Sequence, residues 1–202
     1  MRPDSPPEPA ASIDSETLFR LHARFVASFL YRLGVRGADI EDAVQEVFLT
    51  AHRRGGYRQG AASPTTFLAQ LALEVNLARR RRASRSHAAD PNDLAAATVG
   101  EPPADPAQAL VAKDAARRLQ AAMDAMDHAH RAVFVLFELE GEACESIAAG
   151  LKIPVGTVFS RLHAARRAFR EHVARGSRDG DGAPRRRLYE RDLRVMVAKE
   201  PT

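Results

Sequence analysis

The segment ESIAAGLKIPVGTVFSRLHAARRAF, residues 145–169, constrains the chain more than any other. A short helical period of Ile147, Ala148 and Leu151 stops at Lys152-Ile153-Pro154, and a longer period begins at once. Proline suits the first position of a helix, where its missing N–H is not needed. Two helices joined by so short a turn form a helix-turn-helix, whose second helix normally enters the DNA major groove. At about 100° per residue, Val155, Val158, Leu162, Ala165 and Phe169 fall on one arc, the predicted buried face. Gly156, Thr157, Ser160, Ala164 and Arg167 lie opposite, flanked by Arg161 and His163. Small residues allow close approach to a groove, and hydroxyl and guanidinium groups can bond base edges or phosphates. The competing reading is a solvated amphipathic helix with ordinary surface arginines; the preceding helix and turn favour DNA.

The rest of the chain reads as all-α: two small helical domains joined by a flexible linker, the C-terminal one carrying the helix-turn-helix. Residues 1–12 are rich in Pro, Ala and Ser and are expected to be disordered. Asp14 or Ser15 can cap a first helix that runs to Leu33 and stops at Gly34, with Leu18, Leu21, Phe25, Phe29 and Leu33 as its apolar stripe. A second helix starts near Ala38 with Asp39 as cap. It turns Ile40, Val44, Val47, Phe48 and Ala51 inward and Glu41, Asp42, Gln45 and Glu46 outward. After a loop at Gly55–Ser63, Ser63-Pro64 opens a third helix (Phe67, Leu68, Leu71, Ala72, Val75) that continues into the arginines beginning at Arg79. These three helices delimit a first domain at 13–85, and no β pattern of any length is expected.

Composition changes between 86 and 108: HAADPNDLAAATVGEPPADPAQ holds four acidic residues, four prolines and no Lys or Arg, the marks of an extended linker. A second domain at 109–175 follows, with helices expected at Ala109–Met126 and Ala132–Leu139 before the helix-turn-helix. The extension at 176–202 has a Gly-rich break and a segment, Arg185–Ala198, that can form a basic amphipathic helix.

Charge and cysteine content narrow the function. The formal net charge is only +4, yet arginines cluster, five of them within Arg79–Arg85 and others at Arg161, Arg166, Arg167, Arg170 and Arg175. Clustered arginine points to a polyanionic partner. The one cysteine, Cys144, excludes an internal disulfide and a Cys-rich zinc site and is read as a small buried hydrophobe. There is no metal-ligand cluster or Gly-rich phosphate loop, and His128, His130 and His163 read as surface residues. No metal, cofactor, catalytic residue or small-molecule substrate is expected. With no apolar run of membrane-spanning length and no signal-peptide core, a cytoplasmic location is expected.

LEGEACESIAAGLKIPVGTVFSRLHAARRAF, preceded by AVFVLFEL, resembles the C-terminal domain of extracytoplasmic-function sigma factors, the small promoter-recognition subunits of bacterial RNA polymerase in the sigma-70 family. LGVRGADIEDAVQEVFLTAHRR resembles the same family's core-polymerase-binding segment, and the two motifs stand in the family's order and spacing. The resemblance implies a sigma factor that initiates transcription at specific promoters and is not an enzyme. It places Asp42, Gln45 and Glu46 against the clamp helices of the largest polymerase subunit, with the polymerase flap as a further contact. Carboxylates and an amide one turn apart can meet Arg or Lys on a facing helix.

The resemblance also implies that the first domain holds a melted minus-10 strand through Tyr57, Arg58, Gln59, Asn76, Arg79 and Arg80. Tyr57 either stacks on a base or pins its loop. The second domain would read minus-35 duplex through Thr157, Ser160, Arg161, His163, Ala164 and Arg167. An anti-sigma factor is the implied regulator, and the acidic linker would thread the polymerase's RNA path. Departures from the family pattern fall at Phe67 (usually Trp), Arg80 (where an Asp is usual), Lys152 (usually a turn Gly), Phe159 (usually basic) and Ala164 (usually Arg). They bear on promoter sequence and on the strength of melting. The alternative is a stand-alone helix-turn-helix regulator that binds DNA without polymerase; it would need a dimerising or ligand-binding first domain, which the IEDAVQEVFL helix does not resemble.

Overall fold

The computed structural model describes residues 12–85 and 106–176. The expectations for residues 1–11, for most of the linker and for the C-terminal extension lie outside the described residues. Seven α-helices account for nearly all of what is described: α1 (Ser15–Arg32), α2 (Asp39–Arg53), α3 (Pro64–Arg85), α4 (Pro106–Asp124), α5 (His128–Phe134), α6 (Cys144–Leu151) and α7 (Val155–Gly176). A π-helical turn, Val135–Leu139, continues α5.

Local chemistry sets several of these ends. The Asp14 carboxylate accepts the Thr17 amide at 2.8 Å and starts α1, satisfying one of the helix's free N-terminal donors. Ser63 Oγ accepts the Thr66 amide at 3.0 Å at the head of α3. Gly34 takes φ +99° and ends α1, as its lack of a Cβ allows. Asp127 accepts the amides of Ala129 and His130 and starts α5 four residues before the position expected from its apolar period. At α2 the expected cap is not made: Ala38 is the capping residue without a side-chain bond, and Asp39 instead reaches Arg79 at 2.6 Å.

One element was not foreseen. Ser12–Ile13 (β1) pairs antiparallel with Tyr57–Arg58 (β2), so Ser12 belongs to the fold rather than to a disordered leader. The pair closes because Gly56, at φ +80°, lies directly on the Ile13 carbonyl, where a Cβ would collide. Two residues per strand are too few for an alternating pattern to register. The linker is also shorter than expected, since α4 begins at Pro106.

In the first domain, Leu18, Val26, Phe29 and Leu30 of α1 bury against Ala43, Val47 and Ala51 of α2 and Leu68, Leu71, Ala72 and Val75 of α3. Leu21, expected inside, is exposed, and Val26 and Leu30 take the inner positions. In the second domain Phe134 stacks on Phe169 with ring centroids 5.4 Å apart. Around them pack Val133, Leu136, Ile147, Val158, Leu162 and Ala165.

The two domains share one continuous core. The N-terminal end of α3 packs on α6: the Ser63 amide donates to Ser146 Oγ at 3.1 Å, and Ser63 Oγ donates to Glu142 at 2.8 Å. Gly150 of α6 lies directly against Thr66 of α3. At the other end of the interface Arg32 donates to Glu140 at 2.8 Å. The buried Arg131 donates to the Arg32 carbonyl at 3.2 Å and to Asp124 at 3.0 Å. Burial pulls both guanidinium groups below their ordinary pKa, opposed by Glu140 at Arg32 and chiefly by Asp124 at Arg131.

Candidate nucleic-acid interface

The helix-turn-helix forms as expected. Helix α6 ends on Lys152, which takes the left-handed conformation (φ 55°, ψ 45°) and donates its amide to the Ala148 carbonyl. This is the strained position for which a glycine is usual, and a side chain there costs about 1 kcal/mol. Pro154 stands just before α7, its carbonyl accepting the amides of Thr157 and Val158. Val158, Leu162, Ala165 and Phe169 hold α7 to the core. Val155, expected in that face, is 40% exposed, because the buried stripe begins only at Val158.

The predicted DNA-facing residues divide. Ser160, His163 and Arg167 are exposed with Gly156, whereas Thr157, Arg161 and Ala164 are half-buried. The exposed arc therefore runs from Val155 through Phe159, His163, Gly156 and Arg167 to Ser160. It is rotated toward Phe159 from the face that the apolar period alone defines. Ser160 Oγ donates back to the Thr157 carbonyl at 3.0 Å, and Arg167 lies 3.9 Å from Glu171. Both are surface interactions that a stronger partner can replace. Arg166 turns inward to Glu138 at 2.5 Å.

The residues expected to hold single-stranded DNA are not all presented. Tyr57 is only 7% exposed; its hydroxyl donates to the Ala62 carbonyl at 2.6 Å and its ring lies 5.8 Å from that of Phe67. In this arrangement it pins the loop and offers no stacking face. Asn76 is 6% exposed, and with Arg80 it lines a small cleft at the domain junction completed by Leu33, Gly34, His128 and Arg131. Arg58 and Gln59 are exposed. Arg79 is held by Asp39 at 2.6 Å and lies 3.9 Å from Glu46, and Arg82 lies 3.5 Å from Glu46. His128 is half-buried there rather than a plain surface residue. Burial, then Arg80 and Arg131, lower its pKa from the ordinary 6.5. His130 Nδ1 meets the Asp127 carboxylate, and His163 is exposed as expected.

On α2, Asp42 and Gln45 are exposed and Glu46 is half-buried beneath the two arginines. Beside them runs an apolar groove between α1 and α2, lined by Phe19, Gln45, Phe48, Leu49 and His52. Phe19 and Leu49 are exposed, and the Phe19 and Phe48 rings meet edge-on at 5.0 Å. These two apolar residues were missed; the available signal was Leu49, a large apolar side chain adjoining the polar face of an otherwise amphipathic helix. Cys144 is buried, and burial raises its thiol pKa, as a core role requires. No helix among the described residues is long and apolar enough to cross a membrane.

A three-helix domain with an acid-and-amide face, packed on a helix-turn-helix domain with a basic face, is the two-part architecture of sigma-70 proteins. Sigma-70 region 2 matches residues 18–87 and sigma-70 region 4 matches residues 116–169. The chain belongs to the extracytoplasmic-function sigma factors of that family. It is 32% identical over 175 residues to the ECF RNA polymerase sigma factor SigE of Mycolicibacterium smegmatis, covering 86% of this chain and 67% of the relative. It is 28% identical over 154 residues to the ECF RNA polymerase sigma-E factor of Escherichia coli K12, covering 73% and 80%. In fold it is similar to the sigma factor RpoE of Bartonella quintana, solved in complex with the anti-sigma factor NepR. That likeness has a TM-score of 0.56 and 16% identity, and it covers 79% of this chain and 96% of the other.

Proposed function

We propose that this chain acts in the cytoplasm as a sigma factor that binds core RNA polymerase and directs it to promoters with two separate elements. The observation that carries the reading is the pairing of two unlike surfaces in one chain. An acid, amide and apolar face lies on α1–α2, and a basic face lies on α7 of a second domain. Asp42, Gln45 and Glu46 would grip the clamp helices of the largest polymerase subunit, with Phe19 and Leu49 supplying apolar contact area. Mixed apolar and charged surfaces of this kind suit a protein partner. The second domain would contact the flap and read the minus-35 element as duplex through α7.

The first domain would hold the melted minus-10 strand. Arg58 and Gln59 are exposed and presented for this, and Arg79 and Arg80 stand farther along α3. Asn76 is buried, and with Arg80 it faces a cleft that His128 and Arg131 of the second domain help to line, so engaging this strand through Asn76 would require α5 to move away from α3. Segment 86–105 keeps the parted domains on one chain, and tethering raises the effective concentration of each for its element. An anti-sigma factor that stabilises the packed arrangement would hold the protein inactive, and the fold likeness to a sigma factor captured with NepR supports that partner. No catalytic step, metal or cofactor is assigned to the chain.

Run-off transcription with purified core polymerase on fragments of the source genome tests this directly. Discrete start sites that appear only when the chain is added are the expected result. Sequence-specific DNA binding with no polymerase-dependent transcript would instead favour a stand-alone regulator.

A further inference from the structure

We propose that Phe159 reads thymine in the upstream element by placing its ring against the base's C5-methyl group. This rests on α7 facing duplex DNA and names a contact within that surface. Phe159 is 55% exposed on a helix whose buried stripe is already complete, so the core does not require it. It lies inside the exposed arc, between Val155 and His163 one turn to either side, with Gly156 and Ser160 beside it. A Cβ built at Gly156 would meet nothing within 4 Å, so the N-terminal turn of α7 is bare enough for a base edge to approach.

Charge selects the occupant. From Val155 to Arg170 the helix carries four arginines and no acidic residue, a surface suited to a polyanion rather than to an apolar protein groove. Within a major groove, the apolar feature that distinguishes one base pair from the others is the thymine methyl group, and phenylalanine is among the side chains that contact it. Val155, exposed on the same stripe, extends the apolar strip by one turn. A ring at this position contributes no charge, so it adds base preference without adding to the salt dependence set by Arg161 and Arg167.

The test uses holoenzyme reconstituted with core polymerase and duplexes carrying the upstream element located by start-site mapping. Each thymine of that element is replaced in turn by deoxyuridine, which removes only the methyl group. The wild-type holoenzyme is expected to lose roughly fourfold in affinity at one position, the value of one buried methyl group. Phe159→Ala should be insensitive to that replacement and weaker on the thymine duplex, while Phe159→Leu should retain part of the preference. Far-ultraviolet circular dichroism matching the wild type establishes that each variant is folded. The proposal is overturned if no thymine is sensitive or if Phe159→Ala keeps the full preference. It is also overturned if the variant loses core-polymerase affinity with its base preference intact, which would make Phe159 a protein contact. Arg167→Ala separates the two levels. If it weakens duplex binding while Phe159→Ala changes nothing, only the methyl contact is wrong; if neither matters, α7 does not face DNA.

Discussion

Substituting Gly150 with alanine should separate the two domains without weakening either. A Cβ on Gly150 would lie 2.5 Å from Thr66 Cβ, 2.7 Å from its Oγ1 and 2.9 Å from its backbone carbonyl carbon. Carbon atoms in contact sit about 3.5–4.0 Å apart, and a backbone atom cannot rotate away, so α6 and α3 must move apart by about 1 Å. Overpacking of this kind costs roughly 1–3 kcal/mol. Alanine also stabilises the interior of α6 by about 0.5–1 kcal/mol over glycine. That gain is the same whether or not the domains touch, so it drops out of the balance between the two arrangements. The net shift toward separated domains is then roughly 5–150-fold.

Hydrogen exchange reads it at the Ser63 amide, whose partner, Ser146 Oγ, lies across the interface. Its protection should fall by the same factor while α7 amides keep theirs, and small-angle scattering should report a larger radius of gyration. Unchanged protection at Ser63 together with unchanged dimensions would refute the reasoning, because the contact would then not be holding the domains together.

Two further changes test separate parts of the account. Lys152→Gly relieves a left-handed residue and should raise the stability of the chain by about 0.5–1 kcal/mol in denaturant melts; a loss would mean that the lysine makes a contact of its own. His128 has its pKa lowered by burial and by Arg80 and Arg131, against the opposite pull of Asp127 and Asp124. A histidine that resists protonation when folded contributes fully above its unfolded value and loses that contribution as pH falls below it. Thermal stability should therefore drop between pH 7.5 and 5.5, and Asn at position 128 should flatten that drop without abolishing it. His22, lowered by burial against Glu142, adds a second response of the same sign. A variant as acid-sensitive as the parent would refute the assignment to His128.

What was legible in the sequence was mostly local. Asp14, Ser63 and Gly34 announce helix ends because capping and left-handed turns are decided by one or two residues. Lys152 announced its strain for the same reason. The helical period located the buried stripes of α1 and α7 but misplaced their edges: Leu21 and Val155 fall on the apolar side by angle, yet both are exposed. What could not be read was tertiary. Glu142, Ser146 and Arg131 look like solvated side chains until α3 and α1 are brought against them. From sequence alone Tyr57 reads either as a ring that stacks on a base or as one that pins its loop. The choice depends on Ala62 and Phe67, which meet it only after the loop closes.

The division of labour between α2 and α7 is tested most directly by co-elution with core RNA polymerase. Glu46 also holds Arg79 and Arg82, so reversing its charge would damage the domain as well as the surface. Asp42→Lys combined with Glu46→Gln avoids that fault. The wild-type chain should co-elute with core enzyme at low salt. The double variant should not, while its binding to upstream-element duplex stays within twofold of wild type, as expected for a surface on the other domain. A folded double variant that still co-elutes fully with core enzyme would contradict the account.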